Sequence, residues 1–147
     1  MVLNMASIVV RLFCSSQRRS TKTVHIGMDE AHMVGRGRYY DQHGHQDHSQ
    51  VMIDHLNRVC QIGAKYGFNF LMWSDMFIRP WNDGKYIIPK CEVPREIIES
   101  IPSSVIPVYW DYYQSKEETY SDMIENHKQL SKNTWFAGGA WSWQGVI

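Results

Sequence analysis

The chain has 147 residues, with 15 basic and 15 acidic side chains, so a net charge of zero gives no electrostatic reason to expect nucleic acid or an anionic membrane as partner. Hydrophobic residues make up 44%, an ordinary globular share and enough for one modest core. Three dispersed cysteines (Cys14, Cys60, Cys91) form no CxxC pattern, which argues against a disulfide framework or a Cys-based zinc site and favours a reducing, cytoplasmic compartment. No apolar run approaches the roughly 18–20 residues that span a bilayer. Aromatic content stands out at 13%, with Trp 6 and Tyr 8; such rings fill cores and also floor ligand sites.

The first 23 residues hold no acid but carry Arg11, Arg18, Arg19 and Lys22. That composition fits a transit peptide, but Met5, Ile8, Val9, Leu12 and Phe13 fall at helical spacing, so the plainer reading is an amphipathic helix leading into the first strand. Arg11 interrupts the only apolar stretch and argues against a secretory signal. Thr23 to Ile26 reads as a strand, followed by a polar, glycine-containing stretch from Gly27 to Gln46. From Ser49 to Tyr66, Met52, Leu56, Val59, Cys60 and Gly63 line one helical face, and Gly67 supplies the stop. Asn69 to Trp73 is a second strand. A loop with Pro80, Asn82-Asp83-Gly84 and Pro89 leads to a short helix opened by Pro94. Val105 to Trp110 is a third strand; Tyr120, Met123, Ile124, His127 and Leu130 mark a helix; Thr134 to Ala137 begins a fourth strand.

Strands separated by helices, with no hairpin signal between them, imply right-handed crossovers and a parallel sheet, hence an α/β fold. An open doubly wound sheet and part of a (β/α)8 barrel both fit that order. Each strand is followed at its carboxyl end by acids or aromatics: Asp29 and Glu30, then Trp73 and Asp75, then Trp110, Asp111 and Tyr113, then Trp141 and Trp143. In a barrel the ends of all strands converge on one face, whereas in an open sheet they meet mainly at the switch point. Four loaded strand ends favour the barrel. A closed barrel takes about 200 residues or more, so residues 1–147 read as a single incomplete domain, about four consecutive β/α units of a partial TIM barrel.

Two adjacent acids past a strand are, in an arbitrary loop, usually just solvated. Here the segment is His25-Ile26-Gly27-Met28-Asp29-Glu30-Ala31-His32, which resembles the His-x-Gly-Gly-Asp-Glu motif of family 20 glycoside hydrolases, the β-N-acetylhexosaminidases, at the end of their fourth barrel strand. Met28 stands where the family usually has its second glycine, a departure that tightens the backbone but leaves both acids in place. Trp73-Ser74-Asp75 is similar to the family's Trp-containing fifth strand end, Asp111-Tyr112-Tyr113 resembles its Asp-x-Tyr element, and Trp141-Ser142-Trp143 its closing Trp-x-Glu element.

The resemblance implies a hydrolase that removes terminal N-acetylhexosamine by a retaining, substrate-assisted mechanism, with no cofactor or metal. Glu30 would be the general acid and then the general base, for which it must first hold a proton; burial or a nearby negative charge would favour that. Asp29 would orient the 2-acetamido group and stabilise the charge that develops on it. Tyr113 would donate to the acetamido oxygen, Asp111 would contact a sugar hydroxyl, and Trp73, Trp110 and Trp141 would wall the pocket, with Asp75 and His32 also facing substrate. Trp143, where the family has a Glu that grips sugar hydroxyls, leaves the choice between gluco and galacto sugars open. The implied partner is an N-acetylhexosamine-containing glycan. An alternative, motivated by half a barrel with unpaired sheet edges, is a non-catalytic carbohydrate-binding remnant.

A rival motif lies in the loop after the first strand. His43-Gly44-His45-Gln46-Asp47-His48 matches His-x-His-x-Asp-His, the metal-binding pattern of metallo-β-lactamase-fold hydrolases. Its context argues against a zinc hydrolase: Gly35 to Gln42 is polar rather than a buried strand, and the only later histidines are His55 and His127. The expected role of Asp47 or Ser49 is to cap the following helix, and His127, on an apolar face, is expected to be packed.

Overall fold

The computed structural model describes residues 22–139; the helix expected around Met5 to Phe13, together with Trp141 and Trp143, lies outside the described residues. The elements in chain order are β1 (Thr23–His25), α1 (Arg38–His43), α2 (His48–Ala64), β2 (Asn69–Trp73), α3 (Asp75–Ile78) running into a 3-10 turn (Arg79–Trp81), α4 (Arg95–Ser100), β3 (Val105–Asp111), α5 (Glu117–Leu130) and β4 (Trp135–Gly138). All strand pairs are parallel and the sheet order is β1-β2-β3-β4, with Val24 opposite Phe70, Phe70 opposite Val105 and Val108 opposite Trp135. The protein is thus a mixed α/β structure built on a four-stranded parallel sheet.

Local chemistry sets the element ends. Asp47 accepts the Gln50 N–H at 2.8 Å and so starts α2. At the other end Gly67 has φ of +70°, and the paired bonds Phe68 N–H to Gly63 O and Gly67 N–H to Ala64 O form a Schellman ending. Pro94 occupies the N-cap of α4, where a missing N–H costs nothing. Two short helices were not apparent from periodicity: α1 buries no side chain, and α3 with its 3-10 turn spans only about two turns.

Helix α2 buries Met52, Leu56, Val59 and Gly63, packing with Phe70 and Met72 of β2 and with Phe77 and Val105. Each large side chain so buried contributes roughly 1.5–3 kcal/mol. Gly63 brings the helix close, since a methyl group there would overlap the Phe70 ring. A second apolar cluster joins Met123 and Leu130 of α5 to Tyr109 of β3 and to Ile78, Tyr86, Ile88 and Val93. Strand β3 is buried along most of its length, whereas Trp135 and Phe136 of β4 are exposed.

Candidate active site at the carboxyl ends of the strands

Beyond His25 the chain keeps contact with β2 through Ile26 N–H to Leu71 O and Trp73 N–H to Gly27 O, then turns sharply. Gly27, Met28 and Glu30 all have positive φ, at +69°, +65° and +45°. Glycine adopts this region freely, but a residue with a Cβ pays about 1–2 kcal/mol. Met28 therefore sits in a glycine-like conformation. The turn is fixed by the Gly27 N–H donating to His25 Nδ1 at 3.0 Å and the Glu30 N–H donating to Asp75 Oδ2 at 2.9 Å. Asp29 and Glu30 both face solvent, and the Glu30 side chain is 53% exposed, so the burial expected of a general acid is not present here.

His25 stacks on Trp73 with ring centroids 4.3 Å apart. Burial holds its imidazole below the usual histidine range, with the charge of Asp29 opposing. Because Nδ1 accepts from Gly27, the proton of the neutral ring sits on Nε2.

Asp75 was expected at the substrate; it is instead fully buried and serves as a clamp. Its Oδ2 takes the Glu30 N–H and faces Arg79 Nε at 3.5 Å, and its Oδ1 takes the Trp110 indole N–H at 3.3 Å. The Arg79 contact is a charge pairing rather than an aligned hydrogen bond, since that buried Nε has no hydrogen-bond partner among the described residues. Arg79 also approaches Glu30 Oε1 with Nη2 at 3.6 Å, donates from Nη1 to Gly84 O at 3.0 Å, and lies 5.7 Å from the Tyr86 ring centre. Arg79 escaped the sequence reading. The usable signal was its spacing of four from Asp75, which places the two on one face of a helical turn.

At the end of β3, Asp111 is likewise buried. It accepts the Tyr109 hydroxyl and the Tyr113 N–H, each at 2.9 Å, so each oxygen has a protein donor, and it is its burial that sets it back from the expected contact with a sugar hydroxyl. Tyr113 is exposed, while Tyr112 lies half-buried between Trp110 and Tyr113. Burial pushes the Tyr112 phenol up, with Tyr113 and the charges of Asp29, Asp111 and Glu30 adding to it. The charges of the acids after β1 thus reach the aromatic residues after β3.

A cavity of about 290 Å³ adjoins the clamp, lined by His32, Val34, His48, Met52, Met76 and Arg79 among others. His32 is exposed at its edge and does not join Asp29. The members of the rival histidine motif are separated in role: His43 stacks on Tyr39 in α1, His45 is exposed, Asp47 caps α2 and His48 lines the cavity. Among the described residues no group of three or more His, Cys, Asp or Glu side chains is placed to hold a metal ion, and no helix is long and apolar enough to cross a membrane.

Behind the clamp, His127 is buried as expected, with Nδ1 at 2.6 Å from Met123 O and Nε2 at 2.7 Å from Ser74 Oγ. Ser74 Oγ also meets the Tyr86 hydroxyl at 2.6 Å, which in turn accepts the Trp110 backbone N–H at 3.1 Å. Ser74 occupies the N-cap position of α3, yet makes no cap because its hydroxyl is engaged in this network.

No protein-family model matches the chain, and no curated protein matches it.

Proposed function

We propose that this chain forms about four consecutive units of a (β/α)8 barrel in a β-N-acetylhexosaminidase-like glycosidase that removes terminal N-acetylhexosamine. The observation that carries the reading is the clamp: the acid pair after β1 is held by Asp75 after β2, which is itself held by Trp110 of β3. Carboxyl ends of three neighbouring parallel strands thereby bear on one pair of acids, the arrangement that barrel enzymes use. The sequential strand order, without the reversal that creates a switch point in doubly wound sheets, supports the same architecture.

In this reading Asp29 orients the 2-acetamido group of the substrate while Glu30 donates its proton to the glycosidic oxygen. The acetamido oxygen attacks the anomeric carbon as the bond to the leaving group breaks, giving a bicyclic intermediate. Water then opens it, with Glu30 taking the proton. A sugar seated over the exposed Glu30 would displace water from it and supply the desolvation that the free site lacks. Trp73, Trp110 and Tyr113 flank the sugar. Asp75 and Asp111 act through the residues they hold.

The test is hydrolysis of a chromogenic N-acetylglucosaminide by the full-length protein. Glu30→Gln and Asp29→Asn should each lower kcat by about 100-fold or more, and a thiazoline mimic of the bicyclic intermediate should inhibit. Unchanged turnover in both variants would sink the mechanism.

A further inference from the structure

We infer that Tyr86 and His127 are positioning residues for the acid pair, joined through Ser74 in a hydrogen-bond chain that runs in one direction only. Both ends of the chain are fixed by chemistry. The Trp110 backbone N–H can only donate, so the Tyr86 oxygen accepts there; the Met123 carbonyl can only accept, so His127 carries its proton on Nδ1. The middle then has one solution. Tyr86 donates its hydroxyl hydrogen to Ser74 Oγ, and Ser74 donates its own to the bare Nε2 of His127. A second proton on His127 would point at Ser74 and force its hydrogen back toward Tyr86, whose own hydrogen would face the Trp110 N–H. The chain therefore requires the neutral ring.

Other groups around His127 do not change this assignment. The Tyr109 ring lies 5.0 Å away from the β3 side, its hydroxyl directed to Asp111, and among the described residues His127 hydrogen-bonds to Ser74 Oγ and the Met123 carbonyl. A Ser-His pair at 2.7 Å has the spacing of a nucleophilic dyad, but Ser74 is 0% and His127 1% exposed, so no substrate reaches either.

What the chain positions is the clamp. Ser74 precedes Asp75 directly. The Tyr86 ring packs 5.1 Å from the Trp110 ring and 5.7 Å from the Arg79 guanidinium, and those two side chains are the partners of Asp75. Helix α5 is thus tied through His127 to Ser74, the chain neighbour of the residue that holds the Glu30 backbone. The step from clamp to catalysis rests on the glycosidase reading; the proton arrangement does not.

The experiment compares the full-length protein with Tyr86→Phe and Ser74→Ala, each checked for folding by circular dichroism. Nitrogen-15 NMR of the histidines should show His127 as the Nδ1–H tautomer at neutral pH; an Nε2–H tautomer or a protonated ring would overturn the inference. In both variants kcat should fall about 10- to 100-fold with KM nearly unchanged, the pattern of transition-state stabilisation lost without loss of substrate binding. Amide exchange at Glu30 should quicken by about 10-fold as the clamp loosens. If kcat holds while Glu30→Gln abolishes turnover, the positioning role fails and the glycosidase reading stands. If the unmodified protein hydrolyses nothing, the glycosidase reading fails, and an unchanged Glu30 exchange rate in Tyr86→Phe would overturn the clamp inference separately.

Discussion

Two carboxylates lie buried at successive strand ends, and the protein satisfies them by different means. Asp111 is served locally, by Tyr109 two residues before it and Tyr113 two residues after, so its bonds order one loop. Asp75 collects partners from three places: the Glu30 backbone 45 residues away, the Trp110 indole 35 residues away, and Arg79 on its own helical turn. A local brace survives wherever its own strand is intact. A long-range clamp forms only when β1, β2 and β3 are in register, so its loss should spread to all three strand ends.

The largest test of that contrast is a matched pair of substitutions. Asp75→Asn removes the charge facing a partly buried guanidinium and should cost on the order of 3 kcal/mol in urea unfolding, with Glu30 amide protection lost. Asp111→Asn should cost only about 1 kcal/mol and leave Glu30 protection intact, because its donors are neutral. Equal effects on both readouts would erase the distinction.

Acid offers a second way to break the clamp. Burial lowers His127 from 6.5 to about 4, so between those values the unfolded chain binds a proton that the folded chain resists. Its stabilising contribution is complete above pH 6.5 and is lost as pH falls toward 4. The difference, 6.5 − 4 or about 2.5 pH units, corresponds to on the order of 3 kcal/mol. A His127→Phe variant should show a shallower fall in stability across that window; a parallel curve would remove His127 as the cause.

The smallest effect is expected at the turn itself. Met28→Gly should relieve the positive-φ strain and stabilise the fold by up to about 1 kcal/mol, read as a rise in Tm with turnover unchanged. A loss of stability would mean that Met28 packing on the α2–β2 core outweighs its backbone cost.

Much of the scaffold was legible because its signals are local. The 3.6-residue spacing of Met52, Leu56 and Val59 and the apolar run of Asn69–Trp73 place α2 and β2 to within a residue or two. The acids and aromatics past the first three strands come together at one end of the sheet, joined through Asp75. Which acids face outward was not legible, since Asp29 and Asp75 look alike in sequence and only the fold buries one of them. Tyr86, in a loop with no periodicity, and Arg79, on the turn that follows Asp75, gain meaning from partners on other elements, and nothing local in the sequence marks Ser74 as the hydroxyl that His127 and Tyr86 meet.

One missing methyl group has a consequence for descent. Because Gly63 lets the Phe70 ring lie against the α2 backbone, residues 63 and 70 share a single volume between helix and sheet. Neither can enlarge alone. Among relatives of this chain, a side chain at 63 should travel with a smaller one at 70, so the distance from α2 to the sheet would be recorded as paired substitution.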